Sequence, residues 1–147
     1  MASIVAVIDT NVWVSAFLNP AGFPARLYRL ARQKRFALVT SLPLLEELYE
    51  VLHRPRIMRI RDVKPAEIER FVRLIAEVST LVRISGELHL CRDPRDDIVI
   101  ETAIIGGATH IVSRDEDLTR DLNLLQELER RNIRAVTVSR FLEEIAE

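Results

Sequence analysis

The chain has one cysteine, Cys91, in 147 residues. An intrachain disulfide framework is therefore excluded, and a reducing, cytoplasmic setting is the expectation. Its three histidines, His53, His89 and His110, lie far apart and match no zinc spacing. No stretch of about 18 uncharged apolar residues occurs, so no membrane-spanning helix is expected. The apolar start is short and lacks a basic flank, so no secretory signal is expected either. Glycine-rich phosphate motifs are also missing: there is no G-x-x-x-x-G-K-S/T and no G-x-G-x-x-G, which removes P-loop and dinucleotide-binding readings. Lysine is scarce, with only Lys34 and Lys64 among 21 basic residues. The formal net charge is −1, which argues against a protein held to nucleic acid by its overall field, though not against a local basic patch.

What is present is apolar and periodic. Hydrophobic residues make up 48 % of the chain, enough for a substantial core, and the length fits one compact domain over 1–147. Short apolar runs predict strands over 4–8, 37–40, 80–84, 110–113 and 134–138. Between them, helical spacing predicts helices over 12–18, 24–35, 42–53, from Pro65 onward, and over 94–105 and 117–125. Ser41 is the expected cap of the third helix. A final helix, capped by Ser139, is expected to reach Ala146. Strands alternating with amphipathic helices predict a three-layer α/β/α domain with a mainly parallel five-stranded sheet. Ligands in such sheets bind outside the carboxyl ends of the strands.

Acids concentrate at those ends. The first predicted strand runs into Asp9-Thr10-Asn11. Asp93-Pro94-Arg95-Asp96-Asp97 opens a helix, and Ser113-Arg114-Asp115-Glu116-Asp117 follows the fourth strand. Glu46-Glu47 lies one turn into the third helix. Any one of these acids alone fits a helix cap or a first-turn dipole partner, and Asp93 with Asp96 reads as a capping box. Capping alone would accept Ser, Thr or Asn equally, yet acids recur at every junction. Several carboxylates in one pocket do not all ionise without a cation. An oxygen-only ligand set without His or Cys points to Mg²⁺ or Mn²⁺. Such a site suits phosphodiester hydrolysis.

These segments, in this order and spacing, resemble the PIN domain family over nearly the whole chain, in particular its VapC-type and related bacterial and archaeal members. The resemblance implies strand order 3-2-1-4-5 and a metal-dependent ribonuclease, in many members the toxin of a toxin–antitoxin pair. By position, Asp9, Glu47, Asp96 and Asp115 match the acidic quartet. Asp117 matches a further acid, and Thr10, Asn11 and Ser113 match polar residues that orient ligands or water. Asp96 and Asp97 are adjacent candidates, the seven-residue step to Ala103 favouring Asp96. Glu46 and Glu47 are likewise adjacent; helical geometry does not choose, and the following Leu48 favours Glu47.

Four arginines stand within residues 54–61. Arg54, Arg56 and Arg59 are candidates for RNA-backbone contact, and a solvated connector is an equally good reading. Ile57, Met58 and Ile60, interleaved with them, pack inward or form a partner surface, which together with the resemblance implies a homodimer. Trp13 and Phe17 are expected in the core, Tyr49 in the core or an interface. Tyr28 is left between packing and base stacking, and Cys91 is expected as an inert buried thiol. The function expected is a Mg²⁺- or Mn²⁺-dependent endoribonuclease acting on RNA, with a small antitoxin as a further partner. The alternatives are a PIN nuclease of RNA processing and a non-catalytic RNA- or protein-binding module on the same fold.

Overall fold

A computed structural model describes residues 3–146. The expectation of one domain over 1–147 includes residues 1, 2 and 147, which lie outside the described residues. Five strands, β1 (Val5–Ile8), β2 (Ala37–Ser41), β3 (Ser79–Val82), β4 (His110–Val112) and β5 (Arg134–Val136), form one sheet in the order β3-β2-β1-β4-β5. Every neighbouring pair is parallel. All strand carboxyl ends therefore face one edge, and the three-layer arrangement with order 3-2-1-4-5 is as expected.

The central strand explains the two-faced core. Side chains alternate along a strand. Ala6 and Ile8 join one buried cluster, whereas Val7 joins another on the opposite face. The first cluster gathers α1 (Thr10–Leu18), α2 (Phe23–Arg32), α5 (Pro65–Val78) and α9 (Val138–Ile145), through Trp13, Phe17, Leu27, Ile68, Phe71 and Phe141. In the second, α6 (Pro94–Ile105) and α8 (Leu122–Arg130) supply Val99, Ile100, Leu124 and Leu128. A strand covered on both faces needs a continuous apolar run, and Val5–Ile8 has one. Trp13 and Phe17 are buried as expected. Tyr28 is half-buried, edge-on to Trp13 with ring centroids 6.1 Å apart.

Several boundaries differ from the expected ones, each for a local reason. The first helix starts at Thr10 rather than residue 12 because Asp9 caps it, accepting from the Thr10 N–H. In α2 the chain leaves the helix at Arg32, and Lys34 turns with φ 58°. The third helix, α3 (Leu42–Leu52), has Ser41 at its cap position, but the Ser41 hydroxyl bonds Thr102 Oγ1 at 2.9 Å and caps nothing. Within 54–61, where a connector was one reading, a short helix α4 (Pro55–Met58) forms. Ile57 is buried and Ile60 is exposed. Tyr49 is 43 % exposed, outside the core, with its ring 4.2 Å from that of His53.

The helix expected over 117–125 is two helices, α7 (Glu116–Thr119) and α8. The break occurs because Asp121 starts a new cap, accepting from the N–H groups of Asn123 and Leu124. Strand β3 runs over Ser79–Val82, not 80–84, and β5 ends at Val136. Thr137, not Ser139, caps α9, accepting from the Arg140 N–H at 3.3 Å. Cys91 is half-buried rather than fully buried, and its thiol is pushed up to about 12 by burial and by the neighbouring Asp97 carboxylate, which keeps it unreactive. Among the described residues no helix is long and apolar enough to cross a membrane.

The end of α6 sits directly against β2. A Cβ built on Gly106 would lie 2.3 Å from Val39 Cγ1 and 3.0 Å from the Thr102 carbonyl oxygen. Valine is stiff at χ1, so the contact is not relieved by a side-chain swing. Gly106→Ala is expected to lower stability by about 1–3 kcal/mol, read as a reduced urea midpoint with an unchanged m value.

Candidate metal centre

The ends of β1 and β4, one face of α1, the second half of α3, α4 and the starts of α6 and α7 converge on a cleft of ≈ 480 Å³ at the carboxyl edge of the sheet. Asp9 follows β1. Its Oδ1 accepts from the Thr10 N–H at 2.8 Å and its Oδ2 from the Ser113 hydroxyl at 2.7 Å. Ser113, fully buried at the end of β4, also accepts from the Asp115 N–H at 2.9 Å. The Ser113 hydroxyl, 104 positions along the chain from Asp9, thus ties the acid after β1 to the acid after β4. Asp115 in turn caps α7 by accepting from the Asp117 N–H at 2.9 Å.

Oxygen atoms of Asp96, Asp115 and Asp117 all lie within 4.8 Å of one another. Asp9 and Glu47 line the same cleft. Glu47 accepts a hydrogen bond from the Thr10 hydroxyl, while Glu46 faces solvent. The adjacent pair Asp96 and Asp97 divides in the same way. Asp97 Oδ1 accepts from the N–H groups of Leu90 and Cys91, both at 2.8 Å, and so pins the loop before α6. Asp96 instead lines the cleft. Asp93 caps α6 by accepting from the Arg95 N–H; among the described residues Asp96 accepts no return bond from the Asp93 N–H, so the capping box does not form.

The site is electrostatically costly. Asp9 and Asp96 are only 7 % and 8 % exposed. Burial raises the pKa of Asp9, an effect opposed by its bonds from Ser113 and Thr10 and reinforced by Glu47 and Asp115. Asp96 is pushed up to about 7 by burial, and then by the charges of Asp115 and Asp9. Three clustered carboxylates, with Asp9, Glu47 and Asp93 also lining the cleft and no nitrogen or sulfur donor among the clustered groups, fit a hard divalent cation.

Of the remaining sequence candidates, Thr10 and Asn11 line the cleft, and Asn11 Oδ1 accepts from the Arg114 N–H at 3.2 Å. Arg56 lines it too. Arg54 is paired with Glu50 at 3.2 Å, and Arg59 is exposed away from the cleft lining. The geometry adds Arg114, Asp93 and Arg95, the last two paired at 3.0 Å. Arg114 stands between Ser113 and Asp115 in sequence, and that position was the one signal available for it.

The pKa shifts set a direction for stability. With Asp9 and Asp96 raised, the folded metal-free protein binds more protons than the unfolded chain, so these groups make stability fall as pH rises from about 4 through about 7. Glu101 and Glu144, whose pKa values are lowered, work the other way. Comparing wild type with Asp96→Asn isolates the site. In EDTA, Asp96→Asn is expected to have the higher melting temperature at pH 8, with the difference shrinking toward pH 5. Calorimetric scans across that range check it.

Comparison with known proteins agrees with this geometry. A family model described as PIN domain matches residues 5–117. An uncharacterised protein of Methanocaldococcus jannaschii is 28 % identical over 143 residues, covering 96 % of this chain and 91 % of that protein. No solved structure gives a significant match. PIN domains are generally metal-dependent nucleases, and the acidic cluster fits that chemistry. The matched region runs from β1 to Asp117 and so contains every acid of the cleft, and this chain belongs to the PIN domain family.

Proposed function

We propose that this protein is a divalent-metal-dependent endoribonuclease, acting as one domain over 1–147. The observation that carries the reading is the gathering of Asp96, Asp115 and Asp117 oxygens within 4.8 Å, at a cleft lined by Asp96 and Asp115 together with Asp9 and Glu47. A bound Mg²⁺ or Mn²⁺ would supply Lewis acidity toward the phosphodiester and allow water to act as a nucleophile near neutral pH. Asp96, Asp115 and Asp117 would hold the ion, with Asp9 and Glu47 completing the site. Ser113 and the Thr10 N–H fix the Asp9 carboxylate, and the Thr10 hydroxyl fixes Glu47, so that neither acid needs to reorganise during the reaction. Asn11 fixes the backbone at Arg114. Water attacks phosphorus in line, the bond from phosphorus to O3′ breaks, and O3′ takes a proton. The products are a 5′-phosphate and a 3′-hydroxyl. Arg56 lies where it would meet a phosphate beside the acids.

In the cell the proposed role is the toxin half of a type II toxin–antitoxin pair in the cytoplasm, working as a homodimer. The resemblance to VapC-type members supports that role, as does a site that retains its full acid set.

Cleavage of single-stranded RNA in Mn²⁺ is expected to stop in EDTA and to return with added metal. Asp9→Asn is expected to lower kcat by about 100- to 1000-fold, the scale of losing one preorganised electrostatic group. Ser113→Ala is expected to weaken Mn²⁺ binding by about 10- to 100-fold, as for other groups that orient a metal ligand. Asp97→Asn should instead lower the melting temperature and leave Mn²⁺ affinity near wild type. Full cleavage by rigorously purified Asp9→Asn protein would overturn the nuclease reading.

A further inference from the structure

A second cleft, of ≈ 670 Å³, adjoins the acidic one and shares three of its lining residues, Ser15, Leu18 and Arg114. Among the described residues no carboxylate lines it, and Arg114 is its one charged lining residue. Ser113 also contributes, so the residue whose hydroxyl holds Asp9 of the acidic cleft lines the second one. Phe23 lies on this cleft and is 63 % exposed, and Thr137 and Ser139 add hydroxyls on the same lining.

We propose that this second cleft is the track for the unpaired nucleotides next to the cut, with Arg114 taking a phosphate and Phe23 stacking on a base. The inference rests on the nuclease reading and adds a subsite to it: a path for the strand on one side of the scissile bond. Four observations carry it. First, a polyanion approaching a cluster of acids needs a cation beside them. Arg114 stands at the junction, and its side chain, held by a hydrogen bond to Ser15 Oγ, forms no ion pair among the described residues. Second, successive nucleotides need a continuous surface, which the shared walls provide. Third, an exposed aromatic ring offers a face to any unpaired base and none to a base inside a duplex. Fourth, the lining is free of acids, unlike the cleft beside it.

The other aromatic cleft suits this role less well. Its Phe17 and Phe71 rings are buried against each other, with centroids 5.0 Å apart. Arg61, on the same lining, is paired with Glu67 at 3.3 Å, and the cleft shares no lining residue with the acids.

The test measures binding by the full chain, in Ca²⁺ to keep the RNA intact, by fluorescence anisotropy of a labelled single-stranded oligoribonucleotide and of a blunt RNA duplex of the same length. Wild type should prefer the single strand. Phe23→Ala should weaken single-strand binding by about 5- to 100-fold, the range for losing one base-stacking contact. Arg114→Ala should weaken it as well and should flatten its salt dependence. Because both side chains are exposed, circular dichroism melts of the variants should match wild type. Wild-type affinity in both variants, a preference for duplex, or no RNA binding by the wild type each overturns the proposal. If the wild type binds through Phe23 and Arg114 but does not cut in Mn²⁺, the nuclease reading fails while the track stands. If it cuts in Mn²⁺ with both variants binding normally, the reverse holds, and an acidic protein segment becomes the better occupant for this cleft.

Discussion

Carboxylates that end β1, follow β4 and open α6 repel one another, and burial of Asp9 and Asp96 adds desolvation to that repulsion. The rest of the molecule is arranged to hold them in place nonetheless. A parallel sheet brings the strand ends to one edge, and helices on both faces bury the central strand. Ser113 then links the acids of two different strands through a single buried hydroxyl. Three of the acids are held by nearby donors. Asp9 uses Thr10 and Ser113, Glu47 uses the Thr10 hydroxyl, and Asp115 uses the Asp117 N–H. Such a site is unfavourable for the protein alone and favourable for a hard cation, which is the usual tension between stability and function.

Helix capping and metal-site chemistry are not rival explanations of these residues. Asp9 caps α1 and Asp115 caps α7, so each does the local work that a serine or asparagine would do. A carboxylate, however, has two oxygens. In Asp115 one of them is engaged with the helix N–H, and the group still belongs to the triad. Asp93 caps α6 and pairs with Arg95, which leaves Asp96, three residues on, turned to the cleft. Local folding and the site therefore draw on the same side chains.

The surroundings of the acids are asymmetric. Arg56 approaches on one side from α4, Arg114 on the other from the loop after β4, and Arg95 is neutralised by Asp93. Beyond Arg114 the surface loses its acids and gains an exposed aromatic ring. On the proposed nuclease reading, this asymmetry would give a nucleic-acid strand a direction as well as a place to bind.

Much of this was legible in the chain itself. Apolar runs of β-branched residues marked the strands, and the recurrence of acid after apolar run marked the site, because both are consequences of period and of local hydrogen bonding. Strand order came from resemblance rather than from pattern. The misplaced boundaries had local causes that spacing does not encode: Asp121 restarts a helix, Thr137 displaces Ser139 as a cap, and Ser41 spends its hydroxyl on Thr102. Sequence alone determined which residue types stand at the strand ends, since burial requires the apolar runs to stop where polar groups begin. Only tertiary structure decided between neighbours. Asp97 is drawn away by the loop N–H groups of Leu90 and Cys91, Glu47 is drawn in by Thr10, and Arg114 meets Ser15, which is 99 residues away in the chain. The Glu47 and Arg114 choices depend on partners 37 and 99 residues away, the Asp97 choice on how the loop six and seven residues before it folds back, and a one-residue step along a helix turns a side chain by about 100°, so adjacent acids face different surroundings only once the chain has folded around them.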